Sequence, residues 1–267
     1  MVSNSSLKDK ETGLSITFAE FSSYVNPRTE LVDEIIARVE HFHILQVRGT
    51  PASGKTTVMQ LVANKLLEMY GREFPIHTLC GWEKVKTAGW NAYLEQETGV
   101  CGEKWRGHQA YLLIDEAQES YRDSELWAAL FKSIKPAVGY PFIVLFSSYG
   151  SPGRGYAGFD EQRHIKTPMR LAPKQQISLR PEKDIADGLP IGMRSGKSTE
   201  LHTCRPVGLL LKEDEAIDVL TRYAPTAIQP SLSADLKREL FLISDGHVGL
   251  LVCLADVLRD VPVSVPL

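Results

Sequence analysis

Residues 49–56, Gly-Thr-Pro-Ala-Ser-Gly-Lys-Thr, match the spacing G-x-x-x-x-G-K-[ST]. No other stretch of the chain constrains its fold as tightly. The glycines let the backbone curl until successive N–H groups point inward at an anion, and the following helix adds the positive end of its dipole. Such a loop therefore requires a buried strand before it and a helix after it. Both are legible: His43-Ile-Leu-Gln-Val-Arg48 is a short apolar run, and Val58, Leu61, Val62, Leu66 and Met69 recur on one helical face. The expected phosphate-binding residues are Gly49, Thr50, Pro51, Ala52, Ser53, Gly54, Lys55, Thr56 and Thr57. Lys55 is placed to reach the β and γ phosphates of a nucleotide, and the Thr56 hydroxyl to hold Mg²⁺. Arg194-Ser-Gly-Lys-Ser198 also contains G-K-S, but Ile191 stands where the first glycine belongs and no apolar strand precedes it. It reads as a solvent-exposed loop.

The strand–helix alternation continues on both sides of the loop. Asn26-Pro27 offers a cap followed by proline at the first helical position, and Leu31, Val32, Ile35, Ile36 and Val39 predict an amphipathic helix ending near Glu40. Strands are expected at Phe74–Leu79, Ala110–Ile114 and Phe142–Phe146, with helices at Ala88–Glu97 and Asp123–Ile134. This alternation argues for an α/β fold whose mostly parallel central sheet is flanked by helices. From Gly150 to Pro206 glycine and proline punctuate the pattern, and only Gln176-Ile-Ser-Leu179 reads as a strand. Regularity returns at Val207–Leu211, followed by helices at Glu213–Tyr223, Ala234–Ile243 and Leu250–Leu258. The expected organisation is an N-terminal segment over 1–26, an α/β core over 27–180, a basic loop or insertion over 181–206 and a small helical lid over 207–267. At one domain per about 150 residues, 267 residues accommodate one core and an appendage.

Two further strand ends carry chemistry. Tyr111-Leu-Leu-Ile114 runs into Asp115-Glu116. Asp115 is placed to bind the Mg²⁺ shell, and Glu116 to orient and deprotonate an attacking water. That second carboxylate favours hydrolysis over transfer to a small-molecule acceptor, the outcome expected of a kinase. Ile143-Val-Leu-Phe146 runs into Ser147-Ser148-Tyr149-Gly150. Ligands of open α/β sheets sit outside the carboxyl ends of the strands, so Ser148 or Ser147 is a candidate to sense the γ phosphate or position water.

Val47-Arg-Gly-Thr-Pro-Ala-Ser-Gly-Lys-Thr-Thr57, Leu112-Leu-Ile-Asp-Glu-Ala-Gln-Glu-Ser-Tyr121 with Leu126-Trp127, and Phe146-Ser-Ser-Tyr-Gly-Ser-Pro152 together resemble the P-loop NTPase module of the Crinkler effectors of fungi and oomycetes. The resemblance spans about residues 43–152. Gly208-Leu-Leu-Leu-Lys-Glu-Asp-Glu-Ala216 and Ser244-Asp-Gly-His-Val-Gly249 are similar to the lid of the wider class of signalling and AAA-like ATPases. The resemblance implies ATP and Mg²⁺ as cofactors, hydrolysis as the reaction, and roles on Lys55, Thr56, Asp115 and Glu116. It also implies a sheet in which the phosphate-loop strand lies between the Ser147-Ser148 strand and an edge strand. Full-length members carry a ubiquitin-like header and a nuclease-like domain, neither of which is evident here, so a nuclease would be a separate partner.

Thirty Lys and Arg against 33 Asp and Glu give a formal charge of −3, which excludes coating of nucleic acid or anionic membrane by bulk charge. The total conceals a local excess. Between 163 and 205, nine basic side chains, among them Arg163, Lys166 and Arg170, face four acidic ones. This segment is the candidate contact for nucleic acid. An arginine within it, or Arg154, is a candidate arginine finger. No run reaches the 18 apolar residues that suggest a membrane span, and the polar start lacks the apolar stretch of a secretory signal. Cys80, Cys101, Cys204 and Cys253 form no C-x-x-C pair and suit a reducing compartment. Cytosol or nucleus is the expected location; an effector would be exported by a non-classical route and act in host cells. His41 and His43 are expected on one face of the first strand as ordinary histidines, and Trp82, Trp90, Trp105 and Trp127 as core. His247 is expected to shape a turn between lid helices. Three readings remain open: an ATPase switch, alone or self-associated, signalling to a protein partner; a non-hydrolysing adaptor in which nucleotide is structural and the basic segment binds DNA or a host protein; and a small-molecule kinase.

Overall fold

A computed structural model describes residues 19–21, 25–71, 74–80, 85–148, 156–157, 164–165, 169–181, 190–192, 201–223 and 232–260. The core elements are α1 (Thr29–Phe42), β1 (Ile44–Gly49), α2 (Lys55–Tyr70), β2 (Ile76–Leu79), α3 (Val85–Thr98), β3 (Tyr111–Ile114), α4 (Ser124–Ala129) and β4 (Phe142–Ser148). Two short antiparallel ribbons follow, β5 (Tyr156–Ala157) with β6 (His164–Ile165), and β8 (Pro190–Gly192) with β9 (Leu201–Thr203). Between them β7 (Gln176–Ile177) joins the main sheet, and α5 (Glu213–Tyr223), α6 (Ala234–Ser244) and α7 (Val248–Asp260) close the chain.

Five strands form one sheet in the order β2-β3-β4-β1-β7, and every pairing is parallel. This is the expected α/β P-loop fold. β1 lies between β4 and the edge strand β7, with Gly49 opposite Ser148 and Val47 opposite Ile177. The strands are continuous apolar runs because both faces are covered. Alternate side chains go to opposite sides. Leu45, Val47, Leu113, Val144 and Phe146 pack with Leu31, Ile35 and Val39 of α1 and Val58, Val62 and Leu66 of α2. Ile44, Leu112, Ile114, Ile143 and Leu145 pack on the other side with Trp90, Trp105, Trp127 and Phe131. Those three tryptophans are core, as expected; Trp82 lies outside the described residues. Val207 and Leu209 belong to the first of these clusters, whereas Leu211 packs with Ala216, Val219, Leu240 and Leu251 among the last three helices. Among the described residues no helix is long and apolar enough to cross a membrane.

Several boundaries differ from the sequence reading. α1 begins at Thr29 rather than beside Pro27, because Arg28 takes a left-handed conformation (φ 47°) and turns its buried guanidinium toward the carbonyls of Gly208, Leu209 and Leu210. Asn26 still bonds locally, its Oδ1 accepting the Arg28 N–H at 2.9 Å. His41 and His43 are not on a strand face: His41 lies in the last turn of α1 and His43 caps it. The helix expected over Asp123–Ile134 is shorter. Asp123 caps it by accepting from Leu126 N, and it gives way to a 3-10 turn at Phe131–Ser133, before Pro136 bars further helix. Only Gln176 and Ile177 of the expected Gln176–Leu179 strand pair with β1, since the carbonyls of Ser178 and Leu179 accept instead from Leu209 and Leu210 at 2.9 Å each.

Candidate functional site

The loop between β1 and α2 is shaped by side-chain size as well as by backbone freedom. A Cβ on Gly49 would lie 2.5 Å from Ser53 Oγ and 2.7 Å from Leu209 Cδ1, so any larger residue must displace those two side chains where the strand ends. Gly54, with φ 85°, caps α2 in the left-handed region that glycine adopts without strain. Ala52 is also left-handed (φ 59°), and its carbonyl accepts the N–H of Gly249 at 3.0 Å. Lys55 opens α2 and folds back over the loop, donating to the carbonyls of Thr50 at 2.8 Å and Gly49 at 3.4 Å. Burial pushes its ammonium below the usual lysine pKa, and the negative charges of Glu116 and Asp115 oppose that shift. Thr57 is half-buried in the first turn of α2.

β3 carries the acidic pair to this loop. Asp115 N–H donates to Leu79 O at 2.8 Å, extending the β2–β3 ladder by one rung and holding the carboxylate beside α2. The Thr56 hydroxyl donates to Asp115 Oδ2 at 2.7 Å, while Asp115 Oδ1 accepts the Glu116 N–H at 3.0 Å. Burial raises the Asp115 pKa, and these two donors pull it back. Hydroxyl and carboxylate oxygens in contact at a loop mouth are hard donors that suit Mg²⁺, an ion that keeps much of its own water. Glu116 has φ 48° and turns the chain out of the strand, and its Oε2 accepts from Gln118 Nε2.

The paired serines separate. Ser147 is fully buried and its Oγ accepts from Gln46 Nε2 at 3.1 Å, inside the sheet. Ser148 stands at the carboxyl end of β4, and its N–H donates to Gln118 Oε1 at 2.8 Å. It is therefore the serine that meets the acidic turn. His247 sits between α6 and α7 as expected, but its Nε2 also lies 3.0 Å from Thr50 Oγ1, so the turn between those helices touches the loop between β1 and α2. A cavity of about 590 Å³ opens between them, lined by Arg48, Thr50, Ser178, Arg180, Asp245 and His247.

Lys55, Thr56, Asp115, Glu116 and Ser148 thus converge. Sequence reasoning missed Gln118 and the loop contact of His247; no periodicity marks either. Of the basic segment, Arg170, Lys174, Arg180 and Arg205 are described, and Arg180 pairs with Asp245 at the end of α6. Arg154, Arg163, Lys166 and the Arg194–Ser198 loop lie outside the described residues.

No family model matches this chain, and no curated protein does. Among solved structures it is similar to domain III of the Thermotoga maritima replication initiation protein DnaA, at 15% identity over 91% of this chain and 87% of that one, with a TM-score of 0.47. The Walker-type ATPase PABY2304 of Pyrococcus abyssi is similar at 13% identity over 87% of this chain and 67% of that one, TM-score 0.42. PCH-2 of C. elegans is similar at 12% identity with the same coverages, TM-score 0.30. The α/β P-loop fold stands on this chain's own sheet order and loop.

Proposed function

We propose that this chain binds Mg-ATP and hydrolyses it as a nucleotide-dependent switch, in the manner of the NTPase module of Crinkler effectors. The observation that carries the reading is the 2.7 Å hydrogen bond from Thr56 to Asp115, which joins the two strand-end motifs in one site beside Lys55. In this reading the backbone N–H groups of the loop and the amino end of α2 hold the phosphates, and Lys55 leaves the loop carbonyls for the β and γ oxygens. Thr56 and Asp115 hold Mg²⁺, which neutralises charge on those oxygens when bound. Glu116 orients the attacking water and takes its proton, and Ser148 reads the γ phosphate from the end of β4.

The lid contacts at Thr50 and Ala52 offer a path from loop to lid, by which hydrolysis reaches a partner. That partner is a protein or a separate nuclease domain, with nucleic acid reached through residues 163–205 and self-association compatible with the switch. The scattered cysteines suit a site of action in cytosol or nucleus; the effector reading adds non-classical export into host cells.

ATP binding and phosphate release test the reading. Lys55→Ala is expected to abolish binding, and Glu116→Gln to retain bound ATP while phosphate release falls about 10²–10⁴-fold. Unchanged ATP affinity in Lys55→Ala would sink the site. Thermal stabilisation by ATP with no phosphate release from the wild type would put the non-hydrolysing adaptor in its place.

A further inference from the structure

Glu116 is followed by a 3-10 turn, Ala117–Arg122, whose second residue is a glutamine only 8% exposed. Both ends of the Gln118 amide are engaged. Its Nε2 donates to the Glu116 carboxylate, and its Oε1 accepts the backbone N–H of Ser148 at 2.8 Å. A carboxylate only accepts and a backbone N–H only donates, so the residue between them must present one donor and one acceptor in a fixed plane. Among side chains of this length an amide does so and a carboxylate, a lysine or a methionine does not. The two neighbours also fix which way round the amide sits.

Three strands meet through this contact. Glu116 leaves the end of β3, Ser148 ends β4, and β4 places Ser148 opposite Gly49, where β1 enters the phosphate loop. The backbone at Glu116 is left-handed, which nothing but its surroundings holds in place. The carboxylate so held lies close enough to Lys55 for its charge to oppose the lysine's loss of a proton.

We propose that Gln118 is the positioning residue for Glu116: it aims the carboxylate that activates water and locks that aim to the end of β4. The inference rests on the hydrolytic reading of the site and adds a residue that the acidic pair and the phosphate loop do not include. Gln118 touches neither phosphate nor metal in this scheme and acts through Glu116. Its loss therefore lowers the rate of the chemical step and leaves nucleotide binding in place.

The test uses the whole chain and single-turnover hydrolysis of Mg-ATP. Gln118→Met, which removes both hydrogen bonds at similar length, is expected to lower kcat at least about tenfold with KM and ATP affinity within about twofold. Gln118→Glu keeps the acceptor for Ser148 but replaces the donor to Glu116 with a like charge. It is expected to lose at least as much, and it serves where Gln118→Met does not fold. In the Glu116→Gln background, Gln118→Met is expected to cost less than about twofold more, since residues acting as one unit are not additive. Full activity in Gln118→Glu overturns the inference, leaving only an anchor for β4. A rise in kcat in Gln118→Met, or a loss fully additive with Glu116→Gln, overturns it too. If the wild type hydrolyses ATP, Glu116→Gln does not and Gln118→Met does, the positioning role alone fails. If the wild type itself releases no phosphate, the hydrolytic reading fails and takes this role with it.

Discussion

On β2 the imidazole of His77 is 3% exposed, with neither ring nitrogen hydrogen-bonded and the rings of Trp105 and His108 at 5.4 and 6.0 Å. Burial, helped by repulsion from His108, pushes its pKa from 6.5 to about 4. In the unfolded chain the ring takes a proton near 6.5, and in the folded chain only near 4. Between those values the unfolded state binds more protons. The stability linked to this ring is therefore fully present above about pH 6.5 and is lost as pH drops toward 4, by roughly 3 kcal/mol in all. His108 is shifted in the same direction by burial, so some slope remains without His77. Urea unfolding of the wild type and His77→Leu at pH 7.5 and 5 checks this. The variant is expected to lose less stability between the two, and an equal loss would refute the assignment. Lys55, Thr56, Asp115 and Glu116 were legible in the sequence because their chemistry demands fixed spacing beside apolar runs. The contacts of Gln118 and His247 were not, since each involves a partner distant in sequence, Ser148 for one and Thr50 for the other.

α7 begins where the last helices meet the loop between β1 and α2. A Cβ on Gly249 would stand 2.5 Å from Ala52 Cβ and 2.7 Å from Ala52 O, while Val248 lies against Gly54. Gly249→Ala is expected to cost roughly 1–3 kcal/mol by overpacking and to weaken ATP binding, because the strain falls on the loop itself. Gly107→Ala, where a Cβ meets nothing within 4 Å, is the control and is expected to stay within about 0.5 kcal/mol. Thermal melts with and without ATP measure both; equal melts for the two variants would count against a packed lid–loop junction. At this scale the strands of the sheet were legible as unbroken apolar runs, and the lid helices by their period. The start of α1 and the break after α4 were not, because tertiary contacts there override local preference: Arg28 serves the lid linker, and Trp127 and Phe131 bury their rings edge to face at 4.8 Å.

The sheet domain and the last three helices are tied together by the turn that leads into α1. The Arg28 guanidinium donates to Leu209 O at 2.8 Å, Gly208 O at 2.9 Å and Leu210 O at 3.2 Å, and pairs with Glu215 of α5 at 3.0 Å. Asn26 Nδ2 adds a 2.7 Å bond to Asp218. Arg28→Met leaves three carbonyls and a carboxylate without their donor, an expected loss of about 3–5 kcal/mol. Urea unfolding reads the stability, and limited proteolysis of residues 207–211 reads the linker; wild-type behaviour in both would dismiss the latch. The parallel sheet has a further consequence, for the order in which the molecule is made. β1 has no neighbour close in sequence: Ile44 pairs with Ile143, and Gln46 with Gln176. Each pairing closes a long loop, which is slow. A chain emerging from the ribosome thus exposes residues 49–56 long before any scaffold exists to shape them. Until β4 has emerged, β1 lacks the strand beside it, so the loop over 49–56 gains its shape only after residues 142–148 have been made.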